Sequence, residues 1–120
     1  MNAEIRALYS PDVHDLEFWK PPRPDSFGIL LQLLAGPAAE EGEESFDILL
    51  CTPRWIDDTH GAEDIVVGRH HLIVKEYRYQ AIINFIREYV ASCSGETWGE
   101  VAEKLGRLGK WEFGDYREAP

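Results

Sequence analysis

The sequence predicts an α+β domain: a mainly antiparallel sheet with two C-terminal helices packed on one face and a short helix after the third strand. Three observations carry this. Apolar runs of strand length, separated by turn residues, fill the front half of the chain. Two stretches near the end place their apolar residues at helical offsets. Strands come first and helices last, an order that suits helices gathered on one face of an antiparallel sheet. With 120 residues of uniform composition, the chain fits a single domain over 1–120, able to bury roughly two thirds of the surface its unfolded form exposes.

Residues 3–9 alternate imperfectly and end at Ser10-Pro11-Asp12, a turn signal, so they read as a first strand with one wet face. Pro11, Pro21, Pro22 and Pro24 then exclude a regular ladder from residues 10–26, leaving a long loop anchored by Leu16, Phe18 and Trp19. Residues 27–35 are almost continuously apolar, with Gln32 as the strongly polar exception and Gly36-Pro37 as the stop. They read as a central strand covered on both faces, with a buried helix as the competing reading. Residues 45–52 match that run in length. Gly36, Pro37 and Gly42 lie between the two runs, which predicts a hairpin carrying Glu40, Glu41, Glu43 and Glu44 at its tip.

Thr52 is placed to cap a helix that Pro53 can start and Gly61 closes within about two turns. Residues 65–67 and 72–74 flank Gly68-Arg69-His70 and admit either one bent strand bulged at Gly68 or two shorter pieces. From Tyr79, the residues Ile82, Ile83, Ile86, Tyr89, Val90 and Cys93 fall on one helical stripe, which Gly95 ends. Thr97 and Glu100 form a capping-box pattern, and Trp98, Val101, Ala102, Leu105 and Leu108 repeat the helical offsets up to Gly109. The tail, residues 110–116, alternates aromatic and polar side chains, which suits a short edge strand or rings packed on the helix pair.

The formal charge is −10, and it is uneven: residues 1–50 hold ten acids against three bases (−7), residues 51–120 twelve against nine (−3). An apolar share of 44% and fourteen aromatics argue for a folded chain despite that charge. The field repels phosphate backbones and anionic lipid, which argues against nucleic-acid or membrane partners, and it attracts and steers a cationic protein. Cys51 and Cys93 lack any CxxC or Cys/His spacing and read as two reduced, half-buried thiols. With no leader-like N-terminus and no apolar run near the ~18 residues that span a bilayer, a cytoplasmic protein is expected.

Motifs for chemistry are missing. Adjacent residues on a strand point to opposite faces, so His70 and His71 cannot jointly chelate one metal without a break in the strand, and His14, His60, Asp57 and Asp58 would join them only if distant loops converged. No HxxxH, HExxH, GxSxG, GxxxxGK[ST] or GxGxxG occurs. Residues 40–44 are too solvated for the desolvation that raises a catalytic carboxyl pKa. The expectation is therefore no catalytic residue, no metal and no cofactor. The glutamate cluster reads either as a solvated turn or as a binder of something basic, and Trp55, beside Asp57 and Asp58, either as core or as a binding anchor.

Four stretches in order carry a resemblance: Glu41-Gly42-Glu43-Glu44-Ser45-Phe46-Asp47; Cys51-Thr52-Pro53-Arg54-Trp55; Gly68-Arg69-His70 with Leu72-Ile73-Val74; and Val101-Ala102-Glu103-Lys104-Leu105 through Trp111-Glu112-Phe113. Together they resemble the immunity protein 8 family over most of the chain. Arg78 stands where an acidic cap of the long helix is expected, and Gly114 where the tail carries an acid. Members are small cytoplasmic α+β proteins of bacterial polymorphic toxin systems, so the resemblance implies a protein that binds and blocks a cognate toxin domain. The expectation is then a non-enzymatic inhibitor whose toxin-binding residues are Glu40, Glu41, Glu43, Glu44, Trp55, Asp57 and Asp58, set against a basic, nuclease-like active site. A module that forms a homo-oligomer through an exposed sheet edge is the second reading. A small hydrolase built on His70 or His71 is the third.

Overall fold

The structure, a computed structural model, describes residues 1–63 and 65–114. Its elements run β1 (Ala3–Tyr9), β2 (Gly28–Pro37), β3 (Glu44–Cys51), α1 (Pro53–His60), β4 (His71–Ile73), α2 (Tyr79–Ser92), α3 (Trp98–Leu105) and β5 (Lys110–Trp111). β1, β2 and β3 are successive antiparallel neighbours. The outer edge of β3 is shared: β4 runs parallel to Leu49–Cys51, and β5 antiparallel to Phe46 and Asp47. The α+β class, the hairpin and the two helices near the C-terminus are as the sequence predicts.

Alternation along the strands assigns the faces. Ile29, Leu31, Leu33 and Ala35 of β2 and Phe46, Ile48 and Leu50 of β3 are buried against Ile82, Ile86 and Val90 of α2 and Val101, Ala102 and Leu105 of α3. The even-numbered positions of β2 point the other way. Leu30, Gln32 and Leu34 are half-exposed, and Leu30 and Leu34 lie outside the core cluster. The expectation that this run is covered on both faces is thereby corrected: its second face is packed at its ends and left half-open in the middle.

Local rules fix the helix ends. Thr52 Oγ1 accepts from the amide of Trp55, as an N-cap should, and also from that of Phe27, tying α1 to the start of β2. Thr97 Oγ1 accepts from Glu100, whose carboxylate reaches back to the amide of Glu96, one residue earlier than a capping box requires. α3 ends at Gly106, and Leu108 packs on the core from the following turn. α2 stops at Cys93, short of Gly95. At its start Arg78 makes no side-chain cap and pairs with Glu76 instead.

Two other expectations change. The loop over residues 10–26 is anchored by Leu16 and Trp19 but not by Phe18, which is 73% exposed. Trp19, Phe27 and Tyr77 meet edge-to-face at centroid distances of 4.8–5.6 Å, and the Tyr77 hydroxyl donates to the Leu16 carbonyl. Asp12 accepts from the amide of Leu30, beyond the end of β1. Residues 65–67, a possible strand by composition, form none: Ile65 and Val67 are 84% and 79% exposed, and the chain turns through His70 at φ 64° before β4. The tail forms β5 and also stacks the Trp111 ring on Phe46; residues 115 and 116 of that prediction lie outside the described residues.

Both thiols are free and fully buried, deeper than composition suggests. Burial pushes Cys51 from 9.0 up to about 11. Above pH 9 the unfolded chain releases this proton while the folded chain holds it. The unfolded state then binds fewer protons, so stability that is complete below pH 9 is lost as pH rises toward 11. The urea midpoint is expected to fall across that window and Cys51→Ala to flatten the fall. An equal slope in the variant would assign the effect to other groups.

Candidate functional site

The half-open face is shaped by two glycines of β2. Gly28 and Gly36 bracket Leu30, Gln32 and Leu34 on the same side of the strand. A Cβ at Gly28 would sit inside the indole of Trp55, and one at Gly36 would overlap the Gly42 carbonyl oxygen. Each end of the strand thus has another element resting against its backbone, α1 at one end and the hairpin loop at the other, and only glycine permits the approach. Between them lies a shallow trough. Its floor takes Ala7 and Tyr9 from β1, which pair with Leu34 and Gln32, and Ser45, Asp47 and Leu49 from β3, which pair with Leu34, Gln32 and Leu30.

Arg6, the extra residue of a bulge between Ile5 and Ala7, props the hairpin end. Its guanidinium donates to the carbonyls of Pro37 and Glu40 at 2.8 and 2.7 Å and to the Glu4 carboxylate at 2.9 Å. With its backbone so held, the loop exposes Glu40, Glu41 and Glu43, and Gly42 takes φ 108° between them. Glu44 behaves differently. It is half-buried in the first position of β3, and its carboxylate accepts from the Trp111 indole nitrogen at 2.6 Å, so it secures β5.

Trp55, Asp57 and Asp58 belong to the other end. β3 separates them from the hairpin tip by about 23 Å of strand, so the seven predicted residues form two groups and not one patch. Asp58 accepts from the Ser26 hydroxyl and lies 3.9 Å from Arg23, while Arg54 pairs with Asp25 at 3.3 Å. The charge of Asp58 and Asp25 is thereby offset, Asp57 is left exposed, and Trp55 gives this end an aromatic character. Arg6, Tyr9, Leu30 and Leu34 were missed from sequence. The signal that could have found them is the pair of glycines eight residues apart, in equal parity, within an apolar strand.

Among the described residues, three of the larger clefts lie elsewhere. One of about 430 Å³ between β1, the following loop and α2 contains His14, Asp15 and Arg87. A second, about 750 Å³, gathers Arg69, Arg107 and Lys110 around Trp111. The third, about 490 Å³, is an apolar groove along the edge of β4, lined by Ile73, Ile82 and Phe85. His70 bonds the Gly106 carbonyl at 2.9 Å and His71 that of Arg69 at 3.0 Å, so the adjacent pair does not converge. Among the described residues, no group of three His, Cys, Asp or Glu side chains is placed to hold a metal. The His–carboxylate hydrogen bond observed there, His60 to Glu63, is exposed at the end of α1 and outside these clefts. No helix among the described residues is long and apolar enough to cross a membrane.

An open-faced α+β domain whose exposed features are a trough and an acidic hairpin tip has the form of a binding protein. Comparison with known families agrees: the model of immunity protein 8 matches residues 3–116. The chain belongs to that family and is thereby an immunity protein, a class that implies a toxin as partner and a non-enzymatic role. No curated protein and no solved structure matches the chain.

Proposed function

We propose that this protein neutralises a cognate toxin domain in the cytoplasm of its producer by covering a basic, nuclease-like active site. The observation that supports this reading best is the hairpin tip, where Glu40, Glu41 and Glu43 are exposed on a backbone that Arg6 holds in place. A toxin that acts on nucleic acid needs lysine and arginine in its cleft, and complementary charge raises the rate of encounter while buried aromatic contacts govern dissociation. Trp55 is the aromatic contact in this scheme, with Asp57 and Asp58 as flanking charges. Glu44 contributes through the strand it secures.

Replacing Glu40, Glu41 and Glu43 together by lysine, with Glu44 left in place, is expected to slow association with the toxin domain about tenfold or more at low salt. The dependence on ionic strength should flatten as well. Stopped-flow mixing at two salt concentrations measures both; unchanged kinetics would sink the charged-tip part of the reading.

A further inference from the structure

The trough between hairpin tip and α1 has no task in the mechanism so far. We propose that it is the docking floor for a basic partner domain, which lies across β1, β2 and β3 with its cationic end on the hairpin tip and an apolar segment on Trp55. This rests on the neutralisation reading above and names the surface that reading requires.

Three observations carry it. The first is shape: Gly28 and Gly36 each let a second element close against the same side of β2, so the floor is bounded at both ends and open along its length. An antiparallel sheet commonly leaves one face to solvent with polar residues outward, but here half-buried Leu30, Leu34 and Leu49 put apolar surface on a face that neither α2 nor α3 reaches. The second is polarity. At the hairpin end Glu4, Glu40, Glu41 and Glu43 outnumber Arg6 by three, whereas at the α1 end Arg23 and Arg54 offset Asp58 and Asp25 and leave only Asp57 in excess. A partner with charge at one side and apolar surface at the other fits in one orientation. The third is size. Eight strand steps make the floor about 26 Å long and the two gaps between its three strands about 10 Å wide, about 250 Å² in all. That is roughly a third of the ~800 Å² that each partner contributes to a standard specific interface, so the partner must also cover both rims, as the proposed pose has it do.

The test uses the catalytically inactivated C-terminal domain of the toxin reading frame that neighbours this chain. Gln32→Arg and Tyr9→Lys place positive charge on the floor without touching either rim, and each is expected to weaken binding at least tenfold. Hydroxyl-radical footprinting of the wild-type complex is expected to protect Tyr9, which is 45% exposed in the free protein. Should a variant melt well below the wild type, the footprint alone decides. If the wild type binds while the variants stay within twofold and Tyr9 is unprotected, the floor is not the interface and neutralisation proceeds elsewhere. If the wild type does not bind, the neutralisation reading and this inference fall together.

Discussion

Phe46→Ala is expected to lower the unfolding free energy by about 3–5 kcal/mol, a large share of the ~5–15 kcal/mol that holds a domain of this kind together. Phe46 is fully buried and pairs with Leu33 across β2, and its ring stacks on Trp111 at 6.3 Å. Truncation removes an aromatic from the contact of sheet and helices and takes away the ring against which β5 packs. The remaining cavity faces Leu33 and its neighbours in a sheet layer that cannot collapse without shifting register. Urea unfolding of wild type and variant measures the difference. A loss below about 1 kcal/mol would mean that the layer repacks and that Phe46 is not its centre. Fluorescence should report a second change, since Trp111 loses its stacking partner.

Gly36→Ala is the second large effect, with a loss of about 1–3 kcal/mol from overpacking. The added methyl would overlap the carbonyl oxygen of Gly42 and come within 3.0 Å of its carbonyl carbon. These are backbone atoms, so the conflict cannot be relieved by turning a side chain. The loop must lift, which breaks the bonds from Arg6 to Pro37 and Glu40. Hydrogen exchange over residues 38–43 should accelerate strongly while amides of α2 keep their protection. Uniform loss of protection would show that the loop and the core unfold as one unit. Slower toxin association without a matching loss of core stability would link the posture of the tip to recognition.

Much of this architecture was legible in the letters. β1 and the hairpin follow from strand-length apolar runs set between Pro and Gly, and α2 from an unbroken stripe at helical spacing. Thr52 and Thr97 cap where their chemistry demands. What escaped is what depends on distant parts of the chain. A run such as residues 27–35 does not reveal which of its faces a helix covers, because apolar letters on both sides read alike. Glu44 looks identical to Glu43, yet Trp111, sixty-seven positions away, removes it from the exposed group. β4 is three residues long and pairs in parallel through a crossover, a contact with no local signature. Ile65, Val66 and Val67 have β-branched side chains suited to a strand, but no neighbouring strand takes them up. At the site, the acids were readable by type. Their division between two ends of the sheet was not, since it follows from the length of β3.

The divided outer edge of β3 has a bearing on how the molecule avoids its own kind. An eight-residue strand with a bare flank is a template onto which another chain can zip. Here β4 blocks three positions and β5 two, so no long ladder is left for an intruder to extend. The opposite rim, β1, is interrupted by the bulge at Arg6 and carries Glu4 beside it, a kink and a charge that both frustrate strand addition. A chain that leaves one sheet face open to a partner thus keeps its strand edges short or broken, which disfavours amyloid-like stacking.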